Sequence, residues 1–187
     1  MSDSTPSSPT SIFSLTDHEL YVITARDGER VNGQIATWII PATLVPGHPR
    51  IVAVISPRNY THELIATARR FVVNMLAEDQ SDLVPPFGLY SGKDHNKFEG
   101  MKTLTTGSGI PILTNTCGWA ECCIIGEMNG GDRMIYLADI VDHFVDPTRR
   151  PLRKCEAFAK VSPEIRGLLE EKQRLDGIRD ADLISMP

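Results

Sequence analysis

Six short apolar runs, each stopped by a turn signal, constrain this chain more than any other feature. Residues 21–25 are β-branched and end at Arg26-Asp27-Gly28. Residues 34–40 are largely apolar and end at Pro41. Residues 51–55, Ile-Val-Ala-Val-Ile, form a continuous apolar run suited to a strand covered on both faces. Residues 71–76, 120–125 and 134–141 complete the set. Runs this short and this rich in Val and Ile read as strands, and Pro46-Gly47, Gly107-Ser108-Gly109 and Gly130-Gly131 separate them. With only short helices between them, they predict a mainly β chain: a six-stranded antiparallel barrel, closed or nearly closed.

Two segments carry the helical period instead. Residues 61–70 place Leu64, Ile65 and Ala68 on one face, with Thr61 positioned as an N-cap and Glu63 in the first turn. Residues 163–175 begin with Ser162 at the N-cap and Pro163 at the first helical position. Ile165, Leu168, Leu169 and Leu175 supply the apolar stripe of this second helix. The expected organisation is a leader over 1–14, a barrel domain over 15–155 and a helical extension over 156–187. The Ser/Thr/Pro-rich leader reads as disordered.

Charge and composition remove several functions. A net charge of −5 argues against a nucleic-acid-binding face, which is usually basic. No run of about 18 apolar residues is present, so no membrane-spanning helix is expected. The leader lacks the basic and apolar segments of a signal peptide. Cys117, Cys122, Cys123 and Cys155 form no Cys-x-x-Cys pair, and no spaced Cys/His set offers metal ligands. Free thiols in a reducing cytoplasm are the expectation.

Three constellations carry chemistry. Arg58 follows the end of the 51–55 run and Thr61 opens a helix, an arrangement that suits a phosphate. It also suits a plain helix cap beside a surface arginine. Asn32-Gly33 is a type I′ turn signal, and the strand after it holds Thr37 and Trp38. That strand offers backbone donors and acceptors and a flat apolar wall, or simply a core tryptophan behind a hairpin. Lys97 lies in a polar loop, Lys93-Asp94-His95-Asn96-Lys97-Phe98, where a solvated lysine is the default.

Taken together, Asn-Gly-x-x-x-Thr-Trp at 32–38, Ser-Pro-Arg-Asn-Tyr-Thr at 56–61 and Ser-Gly-x-Asp-x-x-Lys-Phe at 91–98 resemble the flavin reductase-like family of FMN-binding split barrels. Phe-x-x-Asn-x-Leu at 71–76, Gly-x-Pro-x-Leu at 109–113 and Glu121-Cys122 are similar too. The resemblance implies FMN as cofactor, NADH or NADPH as cosubstrate, and a homodimer with FMN at its interface. The helix over 163–175 is then expected to pack across that interface. Asn32, Gly33, Gln34, Ile35, Ala36, Thr37 and Trp38 would meet the ring. Ser56, Arg58, Tyr60, Thr61 and Lys97 would hold the phosphate and ribityl chain. Reduced flavin would serve a partner monooxygenase or another acceptor. Cys122 is read as a packed thiol.

One motif departs. Where many relatives have Gly-Asp-His, this chain has Gly131-Asp132-Arg133. Arg133 either holds an anion, such as a cofactor phosphate or a substrate carboxylate, or is a solvated hairpin residue. His143, at the end of the same strand, is either structural or a substitute for the missing histidine. The alternative function is therefore a non-enzymatic FMN carrier of flavoredoxin type. No catalytic base is identified.

Overall fold

Gly28 makes the first reversal of the chain. Its φ of +59° is left-handed, which glycine adopts at no steric cost. In the computed structural model, which describes residues 15–184, this turn joins β1 (Tyr21–Asp27) to β2 (Arg30–Ala36). Asn32 and Gly33 are therefore not a hairpin turn. They sit inside β2, opposite Ala25 and Thr24. A turn at 28–29 pairs the two strands from Asp27–Arg30 out to Tyr21–Ala36, and that full ladder decides the register. The leader expected at 1–14 lies outside the described residues.

The remaining elements follow in order. They are β3 (Ile39–Pro41), β4 (Arg50–Ile55), α1 (Tyr60–Ala68), β5 (Arg70–Met75) and α2 (Val84–Gly88). Then come β6 (Thr103–Thr105), β7 (Pro111–Leu113), β8 (Gly118–Asn129), β9 (Met134–Val145), α3 (Lys154–Lys160) and α4 (Pro163–Asp180). Seven strands form one sheet in the order β2-β1-β5-β8-β9-β4-β3, every pair antiparallel. The fold is the expected mainly β split barrel with short helices. The run at 34–40 is two strands rather than one, because β2 and β3 lie at opposite edges of the sheet. Only Thr37 and Trp38 join those edges, so the sheet must curl until they approach. Register shifts in β8 after Glu121 and Ile124 help it bend.

The curled sheet encloses Ile23, Ile55, Phe71 and Tyr136, and Leu64 and Ile65 of α1 plug the barrel from one side. Each such side chain contributes roughly 1.5–3 kcal/mol of burial. The run at 51–55 is covered on one face only. Ile51, Ala53 and Ile55 are buried while Val52 and Val54, on the opposite face, are only partly buried, and Val54 lines a cleft there. Asn74 of β5 stitches the layers: its Nδ2 donates to the Val22 carbonyl (3.0 Å), and its Oδ1 accepts from the Leu113 N–H (2.9 Å).

Two helix ends differ from expectation. Asn59, not Thr61, is the N-cap of α1, and the helix stops at Ala68 because Arg69 is left-handed (φ 57°) and Arg70 opens β5. Helix α4 starts as expected, with the Ser162 hydroxyl accepting from Ile165 N, but runs on to Asp180. Beyond Leu175 its apolar stripe fades, and the ion pairs Lys172–Asp176 and Asp176–Arg179 support the last turns. Helix α3 has no sequence-based counterpart. Leu152, Ala157 and Leu169 join Leu20, Val22 and Phe87 in a second apolar cluster, which fixes α3 and α4 against the barrel.

Candidate functional site

A cavity of about 440 Å³ opens between β2 with the Thr37–Trp38 crossing on one side and the β4–α1 junction on the other. Ligand clefts span about 300–1,000 Å³. Its floor is β2 and the crossing beyond it: Gln34, Ile35, Ala36, Thr37 and Trp38 all line it, with Asn32 behind them. The indole of Trp38 is 49% exposed, so it walls the opening rather than filling the core. Gly33 contributes its carbonyl, and a Cβ there would come within 2.8 Å of the Phe87 ring. This glycine permits close approach, not a turn.

The second wall is the β4–α1 junction. Ser56, Arg58, Asn59, Tyr60 and Thr61 face the cavity. Asn59 makes no side-chain cap, so the first N–H groups of α1 remain available there. The Thr61 hydroxyl is already engaged: it accepts from Asn32 Nδ2 at 2.9 Å. That bond fixes the Asn32 carboxamide and leaves its Oδ1 buried with no partner; Gln34 Oε1 is in the same condition. Both residues border the cleft, and their unpaired oxygens mark polar positions that a donor from water or from a ligand would satisfy. Gly92 is the reason Asn32 fits, since a methyl group at 92 would occupy the space of that carboxamide.

Lys97 closes the third side. It is 8% exposed, buried rather than solvated, and its Nζ donates to the Gly33 carbonyl at 2.8 Å. Burial lowers its ammonium to about 8, with the like charge of Lys172 adding to the effect. The folded value lies below the ordinary lysine value of about 10.4, so between those pH values the unfolded chain binds more protons. Stability should therefore rise with pH from about 8 to about 10.4, relative to Lys97→Met. Urea midpoints of both proteins across that range test this, and parallel curves would refute it.

The fourth side is Arg133. Its Nη1 donates to Asp180 Oδ2 at 2.8 Å, and its guanidinium lies 5.5 Å from the Trp38 ring centre. Asp180 is 1% exposed and also accepts from Ser56 Oγ (2.8 Å) and Arg179 Nε (2.7 Å). Burial alone would raise its carboxyl; the three hydrogen bonds outweigh it and hold the group below the usual range. Arg133 is thus a fixed wall residue, not a solvated hairpin one. His143 is elsewhere. It pairs with Ala120 and borders a second, apolar groove of about 310 Å³ with Ile40, Pro41, Trp119 and Phe144. Cys122 is buried with its thiol pushed up to about 12, first by burial and then by Glu121, so it is not a nucleophile. All four cysteines are free. No group of His, Cys, Asp or Glu that could hold a metal occurs among the described residues.

A family model described as "Flavin reductase like domain" matches residues 13–156. The chain belongs to the flavin reductase-like family. The high molecular weight rubredoxin of Moorella thermoacetica is 33% identical over 125 residues, 66% of this chain and 54% of that protein. This chain therefore spans about half the length of that relative. Among solved structures, an FMN-binding protein from Thermus thermophilus with bound p-hydroxybenzaldehyde is 26% identical, with a TM-score of 0.67 over 79% of this chain and 83% of its own. The NADH:FAD oxidoreductase of Streptomyces globisporus shares the fold at a TM-score of 0.70 and 20% identity, over 76% of this chain and 84% of its own. The family match ends at residue 156, so it does not include Asp180 or the rest of α4, which sequence patterns also left outside the site.

Proposed function

We propose that this flavin reductase-like chain binds FMN in the cleft between β2 and the β4–α1 junction and uses NADH or NADPH to reduce it. The observation that carries the reading is the pair of orphaned acceptors, Asn32 Oδ1 and Gln34 Oε1, beside a helix N-terminus flanked by Arg58. The pyrimidine edge of a flavin carries one N–H, which would pair one of those oxygens, and its phosphate suits the N–H groups of α1 and the Arg58 fork. When bound, the flavin supplies the hydride and electron chemistry. The protein's part is placement. Trp38 covers one side of the ring site, Lys97 and Gly33 set its depth, and Thr61 orients Asn32. The acceptor would be a partner monooxygenase or another electron acceptor.

The working unit under this reading is a homodimer with FMN at its interface. Ile40, Phe144 and Val145 are each more than half exposed around the second groove, an apolar surface that a second copy of the chain would cover.

One observation favours the carrier reading. The Arg133 guanidinium on the cleft wall is already engaged by Asp180 and lies over Trp38, so it is not free to receive a nicotinamide cosubstrate. Anaerobic addition of NADH, then NADPH, to the FMN-loaded protein separates the two. Bleaching of the visible flavin band within seconds is expected. A retained flavin that stays oxidised with both donors would overturn the reductase reading and leave the carrier.

A further inference from the structure

The end of the chain reaches into the phosphate corner of the cleft. After Asp180, a single 3-10 turn (Ala181–Leu183) passes over the β8–β9 hairpin, where the Leu183 carbonyl rests on Gly131 so closely that a Cβ there would lie 2.6 Å from it. Asp180 and Leu183 thus pin the segment on both sides of Asp182. The Asp182 carboxylate meets the same guanidinium nitrogen, Arg58 Nη2, through both oxygens at 2.7 Å. A phosphate would use that nitrogen in the same way. The Arg58–Asp182 pair is not locked, however. The Asp182 side chain is 69% exposed and Arg58 35%, so a rotation about the Asp182 side-chain bonds releases the arginine with no backbone movement.

We propose that Asp182 is an internal competitor for the flavin phosphate, a carboxylate latch on Arg58 that the phosphate displaces and that re-engages when the flavin leaves. The proposal rests on the FMN reading above. It deepens that reading by making the flavin an exchanging ligand rather than a permanently held group. Asp180 serves as the anchor that keeps Asp182 within reach, and Ser56, bonded to Asp180 and accepting from Arg58 N at 3.3 Å, couples the anchor to the same turn.

An exposed ion pair is a weak competitor, so its removal should tighten FMN about twofold to fivefold. The test is the Kd of FMN and of riboflavin for wild type, Asp182→Asn, Arg58→Ala and the double variant. Asp182→Asn should tighten FMN, leave riboflavin unchanged and slow FMN release. In the Arg58→Ala background the same substitution should do nothing, because the latch acts only through Arg58. Tightening that persists without Arg58 would reveal simple charge repulsion and overturn the latch. FMN binding that Asp182→Asn leaves unchanged would overturn the latch while the FMN reading stands. Absence of FMN binding in wild type and Asp182→Asn alike would overturn both.

Discussion

Replacing Arg58 with alanine is expected to raise the Kd for FMN about 30- to 100-fold and to change that for riboflavin by less than about threefold. The difference between the two ligands is the phosphate alone, so their affinity ratio isolates the corner built by Arg58, the α1 N-terminus and Ser56. The magnitude is set at the low end of what loss of a buried charge-paired hydrogen bond costs, because Arg58 is about one-third exposed and water can replace part of it. Lost competition from Asp182 works in the opposite direction but is smaller, so the sign is fixed. Isothermal titration of both ligands reads the ratio directly. An unchanged ratio would move the phosphate away from this corner and leave α1 as an ordinary capped helix.

The strands were legible because what makes them is local. A β-branched run between turn residues states its own secondary structure, and each of the six runs lies in a strand or strand pair of the barrel. Closure was legible only in outline. Nothing in residues 34–40 says that the chain crosses from one sheet edge to the other at Thr37-Trp38; that follows from β3 pairing with β4, and β4 with β9, through residues far along the chain. Asn32-Gly33 illustrates a second limit. The dipeptide is a strong turn signal, but here the glycine is needed for the Phe87 ring and the asparagine for Thr61. Local signals name a conformation a residue can take, and tertiary contact decides whether it does.

The site divides along the same line. The cleft walls from 32–38 and 56–61 were legible through the family resemblance of their motifs, and the structure brings all of these residues except Gly33 and Pro57 to one cavity. The acidic closure was not. Ser56 and Asp180 are 124 residues apart, as are Arg58 and Asp182, and no periodicity links them. The helix carrying Asp180 also looks finished at Leu175, because its last turns are held by charge pairs instead of an apolar stripe. A residue such as Arg133 then reads equally as an anion holder or a solvated hairpin residue until its partner is placed beside it.

Asp180→Ala is expected to lower stability by about 2–3 kcal/mol, the largest loss of any polar substitution around the cleft. The carboxylate is buried and receives Ser56, Arg133 and Arg179; its removal leaves two guanidiniums facing one another across an empty position. Both arginines retain some contact with solvent, which keeps the cost below that of a fully enclosed pair. For a chain of 187 residues this is a fall in Tm of about 5–10 °C. The folded carboxyl value lies below the ordinary aspartate value of about 3.9, so its contribution is complete above that pH and is lost as pH falls through the lower folded value. Wild type and variant should therefore differ by the full amount at pH 7 and converge in acid. Thermal unfolding at both pH values checks the magnitude and the trend together. A gap at pH 7 under about 0.5 kcal/mol would mean that α4 is held by Leu169 and its apolar neighbours alone, and that the end of the chain is not anchored to the cleft through Asp180.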